Sequence, residues 1–433
     1  MYKKVKKVLK KALPKSLVKK IVNQLHYLES LTANVFLGFP GRKLKVIGVT
    51  GTSGKSTTTA MIAHIFNHSG KAAAYFGTTN AFWAGREREN VSSLTTETPC
   101  NLYKRVKTVE NAGDEYLIVE SSAHAVVQHR LAFLHYVGGV FTNLSHDHLD
   151  YFGTMQAYAR AKQGLFKLVA KRAGWGVFVA GDEYTSMMSE PIGQDKQLLF
   201  GINDGTISAM DLSEDKGLSS FSVIYQDQQE RVDMPLTGEF NVKNALAAIG
   251  AAVEEGVEFN HACRAMNSFA GVRGRMERFE TKTGAEVLVD FAHTPEAFEL
   301  VLSDLRKHVS GKIIAVYGGY GDRDKTIRAP FGRITATYCD HIILTEDLVG
   351  SETVESINAD IRKGIAEIES YNGEVEEIEA REEAIARAVA IAKKGDCIAL
   401  LGKGHEKEIK RLPVSKPWDE LQAVKDAIAA QEV

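Results

Sequence analysis

Several common function classes need residues or patterns that this chain has little of. It holds four cysteines in 433 residues, Cys100, Cys263, Cys339 and Cys397, with no C-x-x-C pair among them. That excludes a disulfide framework and a cysteine-based zinc site, and it leads us to expect a reducing compartment, the cytoplasm. No apolar run reaches the ~18 residues of a membrane-spanning helix. Lysines interrupt each apolar stretch of the N-terminus, so no secretory signal is expected either. An excess of one charge is also missing, because 53 Lys and Arg face 55 Asp and Glu for a net charge of -2. A globally basic nucleic-acid binder is thereby ruled out, and no nucleic-acid partner is expected. Internal repeats and low-complexity segments are absent.

What is present is length and alternation. A chain of 433 residues carries a soft prior of two to three domains. Strand and helix signals alternate, which predicts an α/β fold with parallel sheets. Lys45 to Thr50 reads as a buried strand, followed by a glycine turn and a helix from Lys55. Further strands are predicted at Tyr116 to Val119 and Gly139 to Thr142, and a helix at Met155 to Val169. A second alternating run starts near Glu286 with its own Gly-rich strand ends. The division predicted is a basic amphipathic segment 1–33, a central P-loop ATPase domain 34–275, and a C-terminal Rossmann-like α/β domain 276–433.

The strongest local motif is Gly51-Thr52-Ser53-Gly54-Lys55-Ser56, followed by Thr57 and entered directly from a strand. Glycines let backbone N–H groups turn toward phosphate oxygens, and the helix N-terminus adds a favourable dipole. Lys55 offers charge to the β- and γ-phosphates, and Ser56 a hydroxyl to Mg2+. The first glycine of the full G-x-x-x-x-G-K-S pattern is missing, since Val49 stands there. Nucleotide binding follows, without a reaction. Glu120 ends an apolar strand, where it is either a Mg2+ ligand or a solvated strand-end acid. His148, between Asp147 and Asp150, is either a metal ligand or a loop residue, and Lys162 reads by itself as a surface charge of a helix.

In this order, VIGVTGTSGKSTTT, LTTETP, VESSAHAVVQHR, FTNLSHDHLDYFGTM, AYARAKQGLF, GEFNVKNALAA, GRMERF, VDFAHTPEA, GGYGDRDKTIR and GKGHE resemble the Mur ligase family, most closely its MurE branch. The resemblance runs from about residue 34 to the C-terminus. It implies an ATP-dependent ligase that makes an amide through an acyl phosphate, adding an amino acid to a muropeptide-like acceptor in peptidoglycan synthesis. It implies ATP and Mg2+ as cofactors, with Ser56, Glu120, His148 and Lys162 as metal ligands or their supports, and N6-carboxylation of Lys162. Asn244 matches an adenine contact. Arg275, Asp290, His293 and the loop holding Arg323 match segments that serve the nucleotide from the C-terminal domain. Thr95, Thr96, Ser122, Gln128 and Arg130 match positions that hold the peptide substrate, and Gly402 and Glu406 the part that receives the amino acid.

Two departures bear on the substrate. Some 33 residues precede ANVFLGFPGRKLKVIG, too few for the N-terminal domain that holds uridine diphosphate in full-length MurE enzymes. Members that add diaminopimelate carry Asp-Asn-Pro-Arg where this chain has Asp347-Leu348-Val349-Gly350. Glycine cannot pair with a distal carboxylate, so meso-diaminopimelate is disfavoured, and lysine or another amino acid stays open. The alternatives are a ligase acting on a polyglutamate or cyanophycin-like acid, and a nucleotide-binding homologue without chemistry. The oligomeric state is not readable.

The N-terminus is the one asymmetric stretch, with nine lysines and no acid between Met1 and Gln24. Val5, Val8, Leu9, Leu17, Val18, Ile21, Val22 and Leu25 recur there at helical steps, and Pro14 is expected to break the helix or start its second part. Two readings stand, a helix packed on the body with a solvated lysine face and a peripheral anchor at the inner face of the membrane through residues 1–25. The second would suit a lipid-linked acceptor.

Overall fold

The computed structural model of the chain describes residues 14–89, 95–215 and 217–431. The first part of the predicted amphipathic segment, residues 1–13, lies outside them. Pro14 is the N-cap of the helix Lys15–Phe36, as its fixed φ suits a helix start. This helix runs past the 33/34 division. The chain forms two compact units, one holding the residues up to Leu144 with Phe152–Phe269, the other Ser145–Tyr151 with Ala270 onward. The units thus part between Phe269 and Ala270, where the sequence places the change at 275/276.

The first unit is built on an 11-stranded sheet. Its middle runs parallel in the order Ile207–Asp215, Gln197–Ile202, Trp175–Val179, Tyr136–Phe141, Lys45–Thr50, Tyr116–Glu120, Ala73–Phe76. Strands covered on both faces are apolar throughout, and Val46, Ile47 and Val49 are accordingly fully buried. Gly48 is required by packing, since a Cβ there would lie 2.6 Å from Leu165 Cδ1 on the helix Met155–Ala170. Antiparallel hairpins close both edges: Leu218–Tyr225 with Gln228–Met234, and Asn80–Trp83 with Arg86–Glu89. Lys45–Thr50 lies between Tyr116–Glu120 and Tyr136–Phe141, with Val49 opposite Glu120 and Thr50 opposite Phe141. The carboxyl ends of three strands therefore meet at the phosphate loop, where open α/β sheets bind ligands.

The second unit has a six-stranded sheet, parallel from Glu286–Asp290 through Cys397–Leu401, Ile313–Tyr317 and His341–Leu344 to Glu374–Glu377. Val287, Val289, Ile314, Val316, Ile398 and Leu400 form the centre of its core. A charged pair is buried with them. Arg381 and Glu420 are both fully inaccessible, with Nη2 2.6 Å from Oε1, and Trp418 Nε1 donates to Glu420 Oε2 at 2.7 Å. Removing one partner of such a pair strands the other charge. Glu420→Ala is therefore expected to destabilise the chain by about 3–5 kcal/mol, read from urea unfolding. An unchanged midpoint would mean that Arg381 finds another counter-charge.

Candidate active site

The phosphate loop is held by the neighbouring strand end. Thr52 N donates to Asn143 O at 3.0 Å, Ser53 N to Asn143 Oδ1 at 2.9 Å, and Thr142 Oγ1 to Ser53 O at 2.7 Å. Gly51 is required by the close approach of the neighbouring strand end, because a Cβ there would lie 1.9 Å from Thr142 Oγ1. Gly54 is the N-cap of the helix Lys55–His68 at φ +81, a left-handed conformation that glycine adopts freely. Its Cβ would lie 2.3 Å from Asn244 Oδ1, which also accepts from Thr58 Oγ1 at 3.2 Å. Asn244 is thus tied to the loop from the helix Glu239–Glu254. Ser56 and Thr57 are buried in the first turn of the loop's helix.

Two amines meet at one carbonyl. Lys55 Nζ donates to Gly51 O at 2.9 Å and Thr52 O at 2.7 Å. Lys162 Nζ donates to the same Gly51 O at 2.6 Å and lies 4.4 Å from the centre of the Tyr158 ring. The expectation that Lys162, taken alone, is a surface charge is corrected, since it is 1% exposed. The apolar side of its helix carries it inward. Glu120, fully buried at its strand end, accepts from Thr78 N at 2.6 Å and Thr78 Oγ1 at 2.7 Å, so it is no solvated acid. The hydroxyl of Ser56 and the carboxylate of Glu120 are hard oxygen donors of the kind that Mg2+ takes, and the loop's glycines fit the close backbone approach that a nucleotide phosphate requires.

Beside Glu120 the predicted peptide-binding residues come together. Thr96 Oγ1 donates to Glu120 O at 2.9 Å and lies 3.2 Å from Ser122 Oγ. Arg130 donates through Nη1 to Thr96 O at 2.7 Å and through Nε to Gln128 Oε1 at 2.9 Å. Thr95 is half-buried next to them. Thr78, which holds the Glu120 carboxylate, is not pointed to by the sequence, whereas Asn143 stands in the Thr142-Asn143-Leu144 stretch that the sequence places at the end of a strand. Thr78 is 42 positions from Glu120, which leaves no local pattern.

In the second unit Asp290 spends both carboxylate oxygens on backbone, accepting from Met276 N at 2.9 Å and Ala292 N at 2.7 Å. Burial raises its pKa, opposed chiefly by the Arg275 charge. Arg275 lies 4.6 Å over the Phe291 ring, and the rings of His293 and His405 are each 4.7 Å from Phe291. Burial, then the Arg275 charge, drives His405 well below the ordinary histidine pKa, so it stays neutral. Glu406 is ion-paired with Lys403 at 2.5 Å, and the fully buried Lys403 also pairs with Asp347 at 2.8 Å. Gly402 borders this cluster, since its Cβ would lie 2.4 Å from Asp347 Oδ2 and 3.3 Å from Tyr320 Oη. Arg323 is exposed. His148 belongs to the Ser145–Tyr151 segment of this unit, at φ +54 with Nε2 3.4 Å from Asp147 Oδ2.

A family model described as the Mur ligase middle domain matches residues 49–252, and one described as the Mur ligase, glutamate ligase domain matches residues 274–404. The chain is 35% identical over 401 residues to the UDP-N-acetylmuramoyl-L-alanyl-D-glutamate--2,6-diaminopimelate ligase of Caldanaerobacter subterraneus subsp. tengcongensis, covering 92% of this chain and 81% of that protein. It is 34% identical over 412 residues to the UDP-N-acetylmuramyl-tripeptide synthetase of Roseiflexus sp., with the same coverage, 92% and 81%. A solved structure of a UDP-N-acetylmuramoyl-L-alanyl-D-glutamate--2,6-diaminopimelate ligase superposes with a TM-score of 0.64 at 29% identity, covering 95% of this chain and 83% of that one. The MurF ligase of Thermotoga maritima shares the fold, with a TM-score of 0.66 at 18% identity over 93% of this chain and 82% of that one.

Proposed function

The chain belongs to the Mur ligase family, and we propose that it adds an amino acid to the peptide carboxylate of a muropeptide-like acceptor. It is an ATP- and Mg2+-dependent, ADP-forming acid–amino-acid ligase. An acceptor carboxylate oxygen attacks the γ-phosphorus and ADP leaves. The amino group then attacks the acyl phosphate carbon, phosphate leaves, and the amine loses its proton. Such transfers are mainly positioning and charge neutralisation. The observation that carries the reading is the convergence of Lys55 and Lys162 on the Gly51 carbonyl beside the buried Glu120.

Each group then has a role. The Lys55 ammonium neutralises charge on the transferring phosphoryl group. Ser56 and Glu120 would hold Mg2+, with Thr78 fixing the Glu120 carboxylate, and the metal would supply charge neutralisation there. Arg130, oriented by Gln128 and Thr96, receives the acceptor's acid. Asn244 keeps its assignment to adenine, and His148, Arg275 and Arg323 theirs to metal and nucleotide. Asp290 and His293 brace the start of the second unit.

Gly402 and Glu406 receive the incoming amino acid, and it lacks a distal carboxylate. Gly350 supports this, because a side chain there would begin 2.3 Å from Asp322 Oδ2, itself bonded to Ser351 N at 2.8 Å. An acid occupies the space that an arginine would need. Peripheral membrane contact through residues 1–25 belongs to the same reading. The test is ADP release with UDP-linked muramoyl-dipeptide and single amino acids. Release is expected only when acid and amine are both present, with lysine above diaminopimelate. ADP release that ignores both substrates would overturn the ligase reading, and equal rates with diaminopimelate would overturn the selectivity.

A further inference from the structure

Thr142 and Asn143 hold the phosphate loop, and they need a support of their own. Asn143 grips Ser53 twice, accepting from its N at 2.9 Å and donating through Nδ2 to its O at 3.1 Å. The Asn143 O also accepts from Thr52 N at 3.0 Å. On the strand side, Thr142 N donates to Thr50 O at 3.0 Å. Past that bond the chain leaves the sheet, and a backbone amide shielded from water there needs another acceptor. Leu144 is buried, and its N donates to Asp182 Oδ2 at 3.1 Å.

Asp182 stands in the turn after Trp175–Val179, the parallel neighbour of Tyr136–Phe141. Its Oδ1 accepts from Tyr184 N at 2.8 Å, and its O accepts from Thr185 N at 3.1 Å. Thr185 Oγ1 donates back to Val179 O at 2.6 Å and ties the turn to the strand. An aspartate that only shapes its own turn uses one oxygen, on the amide two residues on. Asp182 does this with Oδ1 and takes with Oδ2 an amide 38 positions earlier. Both bonds are assisted by the carboxylate charge, which makes them stronger than bonds between neutral groups. We propose that Asp182 is a positioning residue for phosphoryl transfer. It fixes Leu144, through Leu144 the Asn143 side chain, and through Asn143 the Thr52–Ser53 part of the loop. Every link lies in the first unit. The inference rests on the ligase reading and adds to it a residue one strand beyond the loop's own neighbour.

The test is a double-mutant cycle of Asp182→Ala and Asn143→Ala, read in kcat, in KM for ATP and, by calorimetry, in the Kd for ADP. Asp182→Ala alone is expected to lower kcat for ADP formation about thirtyfold, because small misplacements of reacting groups have effects of that order. It is expected to raise KM for ATP and the Kd for ADP by only about fivefold, through lost preorganisation of the loop. In the Asn143→Ala background the same substitution should change each quantity by less than about twofold, since the side chain that transmits its effect is gone. A residue that only supports the fold would lower both backgrounds alike. Asp182→Asn keeps one carbonyl oxygen for one of the two amides and should fall between wild type and alanine. Where the alanine variant does not fold, Asp182→Asn takes its place in the cycle. Equal losses in both backgrounds would overturn the proposal, as would an Asp182→Ala variant within about threefold of wild type in both kcat and Kd. Wild-type ADP formation with acid and amine tests the ligase reading by itself. Calorimetry reads the loop without turnover, so failure of one reading is distinguished from failure of the other.

Discussion

Lys55→Met is expected to lower acceptor-dependent ADP formation by about a thousandfold. Methionine keeps much of the lysine stem and removes the ammonium, so the loop loses charge and little packing. That ammonium lies within 2.9 Å of the Gly51 and Thr52 carbonyls, above a loop that Thr142 and Asn143 fix from outside. The loop should therefore keep its shape in the variant. A charge supplied to a developing transition state contributes more than one supplied to the ground state, so kcat should fall further than the affinity for ATP. A thousandfold loss corresponds to about 4 kcal/mol of barrier. Lys55→Arg should recover little, because a planar fork does not replace a compact ammonium held by two carbonyls. Thermal unfolding of Lys55→Met close to wild type, combined with the loss of rate, confirms the role. A rate within tenfold of wild type would remove Lys55 from phosphoryl transfer.

Local chemistry was legible in the sequence and chemistry from across the sheet was not. The phosphate loop could be read because its glycines and Lys55 act within one turn, and the strand before it is apolar throughout. Glu120 was placed by the same logic, at the end of an apolar run. Thr78 was invisible, because its pairing with Glu120 exists only once Ala73–Phe76 lies beside Tyr116–Glu120. The Asn80–Trp83 hairpin turns at Ala84 and Gly85 with φ +53 and +69, and Ala-Gly is not one of the dipeptides that mark such a turn in sequence. At the N-terminus, apolar periodicity reported a helix correctly. It could not report burial, because Val18 is buried while Leu25, about 20° round the helix from it, is 37% exposed. Asp290 shows a different limit. Its motif matched, while its carboxylate proves to be committed to the Met276 and Ala292 amides.

Lys162 carries the largest remaining consequence, because its charge sign decides its role. Its Nζ is buried, 2.6 Å from Gly51 O and 4.4 Å from the centre of the Tyr158 ring. As an ammonium it places a cation beside the proposed Mg2+ site. As a carbamate, formed by attack of the neutral amine on CO2 with loss of a proton, it presents an oxygen anion there instead. Both states predict that Lys162→Ala loses about a thousandfold in ADP formation, so that variant alone does not separate them. Lys162→Glu and Lys162→Arg do. If the lysine works as a carbamate, glutamate restores the sign and should exceed alanine, while arginine should match or fall below it. If it works as an ammonium, that order reverses. Intact mass recorded from bicarbonate buffer is expected to show one added CO2 in the wild type and none in the variants. An arginine variant more active than the glutamate variant, with no added mass in the wild type, would overturn the carbamate. Alanine within tenfold of wild type would remove Lys162 from the site altogether. The burial of this side chain makes the experiment decisive, since an amine with so little access to water has no bulk solvent to screen whichever charge it carries.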